Sequence, residues 1–314
     1  MMDKMIAAQA WVESPLQLLC AVEYAAATGI PLRIVPLAGA LQLRETGRHL
    51  ESLGLPPRVV IERPRRSPFA ALLNHPRGHW VVGDAYSRVT RLALALGRVR
   101  WLTIVDDGAI TLSLVDVLAG CAPLERPDKV ESSVIRAVAR RARNRLLLMA
   151  ARGSLEVFSF YPLEIHMLRS QQFDWLRERA AESSPHQPGL PDGSRVILGS
   201  AAVVDGSQSA DDYLDWVEAQ QLPAFYYPHR RETADLLHRV GLIEGLTISV
   251  PGLPIELVLA ASRGLRIASQ PSSALTTLGI ILEGRDCVLP ATDAGNDVPA
   301  TRSGRSLVSA GEFS

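Results

Sequence analysis

Short apolar runs alternate with helical segments along most of the chain, and this alternation restricts the fold more than any other feature. In the first half, strands are predicted at 7–12, 32–37, 58–62, 79–82 and 99–105. Helices are predicted at 14–29, 40–53 and 87–96, with a short helical piece between 62 and 79. Strand–helix alternation with short connections is typical of βαβ units and a mostly parallel sheet.

A second set of alternating elements follows a segment rich in proline, glycine and serine at 183–194, which is typical of a linker. Strands are predicted beyond it at 195–198, 224–227, 246–250, 265–268 and 286–289, and helices at 210–220, 231–240, 254–263 and 273–282. The sequence therefore predicts an α/β protein with two Rossmann-like parallel-sheet domains facing a central cleft. The first domain is expected at 1–182, the second at 183–290, and a disordered tail at 291–314.

Charge and composition restrict the partners. Lysine plus arginine and aspartate plus glutamate each total 33, which argues against a general nucleic-acid binder. The three cysteines are far apart in sequence and lack metal-ligand spacing.

No secretory signal is recognisable at the start, and no apolar run reaches the ~18 to 20 residues that cross a bilayer. A cytoplasmic protein is therefore expected.

The segment 132–152 is basic and amphipathic, because it holds six arginines and no acid and its apolar residues recur at helical spacing. A basic amphipathic helix of this kind can lie on an anionic membrane surface, here the inner face of the cell membrane. The preferred interpretation is a surface helix that packs its apolar stripe on its own domain. Its arginines could equally serve an anionic substrate or a partner subunit, so a homodimer is left open.

Two adjacent acids and a glycine end the apolar run at 101–105. A strand that stops at Asp106, Asp107 and Gly108 places them at the carboxyl edge of a sheet, where ligands of α/β proteins bind. Successive strand residues point to opposite faces, so at most one carboxylate is expected to reach a substrate. Such carboxylates can hold a metal or act as a general base, and the alternative is that one of them caps a helix predicted at 108–120. Gly108 permits close approach of a ligand.

Two further strand ends carry polar groups. His229 follows the strand at 224–227, where it could pair with phosphate or simply begin a helix. Ser272 and Ser273 open a helix, where hydroxyls and free amides suit a phosphate but also suit ordinary capping. Gly199 and Ser200 follow another strand, but the glycine patterns of dinucleotide and P-loop sites are missing from the sequence.

The start of the first helix is also marked. Ser14 can serve as N-cap, Pro15 occupies the first helical position, and Gln17 completes a capping box.

In combination these motifs resemble those of the bacterial lipooligosaccharide sialyltransferase and polysialyltransferase families. Those enzymes carry, in order, a D/E-D/E-G motif, an H-P motif and a paired Ser-Ser/Thr motif. The matching residues here are 106–108, 229–230 and 272–273, and the resemblance spans about residues 9–283. The opening 13–17 is similar to the families' S/T-P-L-Q, and Pro254-Ile255-Glu256 resembles another recurrent piece. Arg230 departs from the pattern, because it stands where the H-P motif has proline.

The resemblance implies a GT-B fold and an inverting, metal-independent glycosyltransferase without a cofactor. It would move sialic acid from CMP-sialic acid to a hydroxyl of a cell-surface glycan or glycolipid acceptor. The implied catalytic residues are Asp106 or Asp107 as general base and His229 at the departing phosphate. The implied donor-binding residues are Gly199, Ser200, Pro228, Arg230, Glu256, Ser272 and Ser273. The implied acceptor-side residues are Ser14, Pro15, Gln17 and Gly108.

Two alternatives stay open from the sequence. One is transfer of another CMP-linked keto sugar, such as Kdo. The other is a non-catalytic GT-B-like protein that binds a nucleotide or glycan. The acceptor and the linkage are also left open.

Overall fold

A computed structural model describes residues 8–37, 41–64, 78–126, 131–183, 190–249 and 252–290. The tail expected at 291–314, most of the helical piece expected between 62 and 79, and part of the linker expected at 183–194 lie outside the described residues.

The first unit is built on a parallel sheet of seven described strands. They are β1 (Ala8–Val12), β2 (Leu32–Pro36), β3 (Val59–Ile61), β4 (Gly78–Val82), β5 (Val99–Val105), β6 (Leu155–Ser159) and β7 (Leu168–Ser170). Their order is β3-β2-β1-β4-β5-β6-β7. The chain moves outward from β1 in one direction and then from β4 in the other, so the strand order reverses between β1 and β4. Ligands of doubly wound sheets bind at the carboxyl ends of the strands at such a point.

Helices cover this sheet: α1 (Pro15–Thr28), α2 (Leu41–Ser52), α3 (Arg88–Ala95), α4 (Ser113–Leu118), α5 (Ser133–Ala151) and α6 (Asp174–Ser183). The start predicted for α1 is confirmed. The Gln17 backbone N–H donates to Ser14 Oγ (3.2 Å), and Pro15 occupies the first turn. The helix ends at Gly29, whose φ of 67° is the left-handed conformation that favours glycine.

The second unit repeats the same plan on a smaller scale. Its parallel strands β8 (Arg195–Leu198), β9 (Ala224–Tyr227), β10 (Leu246–Ile248) and β11 (Arg266–Ser269) lie in the order β10-β9-β8-β11. The helices are α7 (Ala210–Glu218), α8 (Ala234–Val240), α9 (Ile255–Leu259) and α10 (Ser273–Ile281). The order reverses between β8 and β11. The prediction of two Rossmann-like parallel sheets is confirmed.

The two units share apolar packing. Leu18 of α1 and Leu176 of α6 belong to the same buried cluster as Leu259 of α9 and Leu278 of α10. Beyond α10, the Arg285 guanidinium donates to the carbonyl of Arg177 in α6 (3.4 Å). These contacts join the first unit to the second.

Several predicted element boundaries are wrong. The helix expected at 108–120 is only Ser113–Leu118, because hydrogen-bonded turns occupy 108–112 first. No side chain caps α4, so neither Asp106 nor Asp107 has the capping role considered for it. The strand expected at 286–289 is reduced to an isolated bridge between Val288 and Arg266. The strands β6 and β7 and the helix α6 were not predicted at all.

The basic helix α5 packs its apolar side on its own domain, as preferred from the sequence. Ala139, Ala142, Leu146 and Met149 are buried, and the helix contacts α3 and β6. Several arginines, at 136, 140, 141 and 152, are exposed. No helix within the described ranges combines the length and the apolar character needed to cross a bilayer.

Candidate functional site

A cleft of about 290 Å³ lies between the two units. It is bounded by residues that follow β1 and β5 in the first sheet and β8, β9 and β11 in the second. Most of the residues expected at the site line it: Ser14, Pro15, Asp107, Gly108, Gly199, Pro228, His229, Arg230, Glu256, Ser272 and Ser273. Three expected residues, Asp106, Gln17 and Ser200, are not part of its lining.

Asp107 is the acid of the adjacent pair that faces the cleft. Its Oδ1 accepts a hydrogen bond from Ser14 Oγ (2.9 Å), and Gln17 also hydrogen-bonds to its side chain. Burial raises the pKa of Asp107; the bonds from Gln17 and Ser14 and the charge of Arg230 oppose the shift, while Asp84 adds to it. A partly desolvated carboxylate with a raised pKa is a stronger base than one in water, which suits proton abstraction.

Asp106 has a structural position, which corrects its assignment as a candidate base. It is fully buried and points away from the cleft toward the segment after β6. Its carboxylate accepts from Ser159 Oγ (2.9 Å) and from the Phe160 N–H (2.6 Å). Burial raises its pKa to about 7 against these bonds. Asp106 therefore ties β5 to the end of β6 and cannot reach a molecule in the cleft.

The start of α1 supports Asp107. Ser14 accepts from the Gln17 N–H, so its own hydroxyl proton is directed to Asp107. The Gln17 side-chain oxygen accepts from the Glu13 N–H (2.7 Å), one residue earlier than an ordinary capping box. A side-chain carbon on Gly83 would overlap the Gln17 side chain. Gly83, at the end of β4, is therefore part of the support for this site, and sequence analysis missed it.

His229 follows β9 and presents its ring to the cleft. The Arg231 backbone N–H donates to its Nδ1 (3.3 Å). In the neutral ring the proton is then on Nε2, which is left to donate. Burial lowers the pKa of His229, and the charges of Arg230 and Arg231 lower it further, while Asp205 opposes them. The neutral ring with an Nε2–H donor is therefore favoured at neutral pH.

Ser272 and Ser273 stand at the N-terminus of α10. Ser272 occupies the N-cap position, but its side chain makes no capping bond. By contrast, Ser14, Ser87, Ser209 and Thr233 each accept an N–H of the helix that they begin. Helix N-termini attract anions through their free amides. A methyl group on Gly108, whose φ is 79°, would stand only 3.2 Å from Ser273 Oγ, so the first and third motifs meet across the cleft.

A half-buried carboxylate holds the loop that carries His229. Glu232 Oε1 accepts from the Ser200 N–H (2.8 Å) and from the Tyr226 hydroxyl (2.8 Å). Burial raises the pKa of Glu232, and these bonds oppose the shift. Ser200 thus helps to fix the loop rather than line the cleft. Glu232 was missed by sequence analysis, although it lies only three residues after His229.

Glu256 lies on α9 and is almost wholly buried at the cleft wall. Thr277 Oγ1 of α10 donates to its Oε1 (2.8 Å). Burial raises the pKa of Glu256, while its hydrogen bonds act in the opposite direction. The contact joins α9 to α10 and therefore stabilises the helix whose N-terminus faces the cleft.

The two arginines after His229 have different surroundings. Arg231 pairs its guanidinium with Asp205 on the exposed surface and does not line the cleft. Arg230 lines the cleft, and its charge lowers the pKa of both Asp107 and His229. Only Arg230 of this pair is thus placed to meet a bound anion through its side chain.

Alanine at position 199 is expected to disrupt the site. Its Cβ would stand 2.5 Å from the His229 backbone nitrogen and would also overlap Glu232. Overpacking of this kind costs about 1 to 3 kcal/mol. Gly199→Ala should lower the melting temperature, measured by thermal denaturation. Gly279→Ala in α10 is the control, because nothing lies within 4 Å of its added carbon. Equal behaviour of the two variants would contradict this packing.

Comparisons with known proteins give little sequence information. No family model matches the chain, and no curated protein matches it. Among solved structures, the chain is similar to the UDP-GlcNAc 2-epimerase from Methanocaldococcus jannaschii, with a TM-score of 0.44 and 12% identity. The match covers 88% of this chain and 81% of that chain. The resemblance to sialyltransferases therefore rests on the motifs.

Proposed function

We propose that the protein is an inverting glycosyltransferase that uses a CMP-activated keto sugar such as CMP-sialic acid. The observation that carries the proposal is the meeting of the three motifs in one cleft. Asp107 comes from the first sheet, His229 and Ser273 come from the second, and Ser273 closely approaches Gly108. Sites between two Rossmann-like units are common places for nucleotide-linked substrates.

In the proposed reaction Asp107 is the general base. An acceptor hydroxyl gives its proton to Asp107 while its oxygen forms a bond to the anomeric carbon. The bond between that carbon and the phosphate oxygen breaks, and its electron pair stays on the phosphate of departing CMP. Attack from the face opposite the leaving group inverts the anomeric centre. The proton then leaves Asp107 for solvent, so the products are a glycoside, CMP and one proton.

The leaving phosphate gains negative charge as this bond breaks. His229 Nε2–H and the free amides at the start of α10 are the donors proposed to stabilise it. Because the pKa of His229 is lowered, we infer that the ring donates a hydrogen bond to the phosphate and does not transfer its proton. Glu256 supports this region through Thr277.

A nucleotide-binding experiment tests the donor. CMP and CMP-sialic acid are expected to raise the melting temperature of the protein, since a ligand that binds only the folded state stabilises it by mass action. UMP and GMP should do so much less. Stabilisation by CMP-Kdo above that by CMP-sialic acid would indicate the Kdo-like alternative. Equal stabilisation by all three nucleoside monophosphates, or none by CMP, would contradict the proposal.

Contact with a membrane surface is a separate part of the proposal, because the acceptor could be a glycolipid. The exposed arginines of α5 would attract anionic headgroups. Co-sedimentation with vesicles containing phosphatidylglycerol, but not with pure phosphatidylcholine vesicles, is expected. Equal recovery of the protein with both kinds of vesicle would contradict this contact.

A further inference from the structure

We propose that Arg230 binds the carboxylate of the donor sugar and thereby restricts the enzyme to keto-acid sugars. This inference rests on the proposed function, because it names what the same cleft recognises. Among the described residues that line the cleft, Arg230 is the one that carries a permanent positive charge. It occupies the position at which the resembling families have proline, so its role is not carried over from them.

Arg230 is the arginine of this region that remains available to a bound anion. Arg231 is bound by Asp205, and Arg239 by Asp211, both on the exposed surface. Among the described residues, no ion pair is found for Arg230. Arg230 lines the same cleft as Asp107 of the first unit and His229 of the second. Its positive charge lowers the pKa of both groups.

The chemistry of the donor sugar determines which group Arg230 would meet. In a 2-keto acid sugar the carboxylate is attached to the anomeric carbon itself. That carbon must lie between the oxygen deprotonated by Asp107 and the phosphate held near His229. An arginine that lines the cleft together with both groups is placed to meet a substituent of that carbon. A planar guanidinium is well suited to a carboxylate, since it can donate two parallel hydrogen bonds.

The charge at the reacting carbon also changes in the transition state. Glycosyl transfer develops positive charge at the anomeric carbon. An uncompensated arginine there would oppose that charge and slow the reaction. When the sugar carries a carboxylate, the arginine is neutralised by it. Arg230 thus favours the reaction of donors that carry the carboxylate and slows the reaction of donors that lack it, which makes it a specificity-determining residue.

The test compares CMP-sialic acid with its carboxyl methyl ester, two phosphodiesters that differ in the charge at one position. Calorimetric affinities are measured for the wild type, Arg230→Gln, Arg230→Lys and, as a control outside the cleft, Arg239→Gln. The wild type should bind the acid about ten- to a hundred-fold more tightly than the ester. Arg230→Gln should abolish this preference and leave CMP affinity within about threefold. Arg230→Lys should keep part of it, and Arg239→Gln should keep all of it.

Three outcomes would overturn the inference. Equal binding of acid and ester by the wild type would show that no cation meets the carboxylate. A preference that survives in Arg230→Gln would assign it to another group. A large loss of CMP affinity in Arg230→Gln would place the arginine on the phosphate instead. In each case CMP binding by the wild type would leave the proposed function standing, whereas its absence would contradict that function too.

Discussion

Asn in place of Asp107 is expected to lower kcat by about 10²- to 10⁴-fold, the usual contribution of a general base. The amide preserves the shape and can still accept from Ser14, but it cannot take a proton. CMP affinity should change little, because Asp107 follows β5 in the first unit, on the side proposed for the acceptor. Steady-state rates of CMP release on folded protein, with calorimetry for CMP, measure both quantities.

The neighbouring acid is the matched control for this substitution. Asp106→Asn should keep kcat within about tenfold while lowering the melting temperature, because its carboxylate accepts two buried bonds. Loss of a buried hydrogen-bond partner costs about 1 to 3 kcal/mol. If Asp106→Asn abolishes turnover and Asp107→Asn does not, the assignment of the base is wrong.

The pH dependence of the reaction should report the same residue. The base must be ionised, and burial raises the pKa of Asp107. Activity should therefore fall with decreasing pH at values above the ~3.9 of an ordinary aspartate. Arg230 lowers the pKa of Asp107, so Arg230→Gln should move this acid limb to still higher pH. An unchanged limb in Arg230→Gln would mean that the two groups are not close in solution.

Alanine in place of His229 is expected to lower kcat by about 10²- to 10³-fold, as the loss of one donor to a developing oxyanion does. The dissociation constant for CMP-sialic acid should change only a few-fold, because the hydrogen bond from His229 is needed mainly in the transition state. Single-turnover kinetics and calorimetry separate these quantities. His229→Asn is the conservative variant, and its amide should restore part of the rate.

A purely structural role for His229 gives a different pattern. The ring contacts the Arg231 N–H, so its removal could loosen the loop between β9 and α8. In that case kcat of the folded protein would stay near the wild-type value and only the melting temperature would fall. Such a result would remove the leaving-group assignment.

Local sequence patterns were sufficient for much of the fold. The run at 99–105 and the Ser14-Pro15 start each depend on neighbouring residues, and the structure has both where they were predicted. β7 has three residues, none of them buried, and α4 begins without a capping side chain. Short elements of this kind are fixed by pairing with another strand or by packing, which residue spacing does not encode. The bridge at Val288 is a similar case.

The site residues also fall into those that the sequence predicts and those that depend on contacts with distant residues. The acid pair and the serine pair stand out as strand and helix ends in the sequence. Which acid faces the cleft depends on Ser159 and Phe160, more than 50 residues away, since they engage Asp106. Which arginine is available depends on Asp205, which engages Arg231. Gly83 is recognisable as part of the site only after Gln17 is seen against it.

Acceptor-dependent release of CMP is the measurement that tests the central claim most directly. The wild type, CMP-sialic acid or CMP-Kdo, and a panel of surface glycans and glycolipids are incubated together, and CMP and the new glycoside are quantified. We predict that at least one acceptor accelerates CMP release, that CMP and glycoside form in equal amounts with inverted configuration, and that Asp107→Asn loses this acceleration. CMP release that no acceptor accelerates, or acceleration that Asp107→Asn retains in full, would contradict the account.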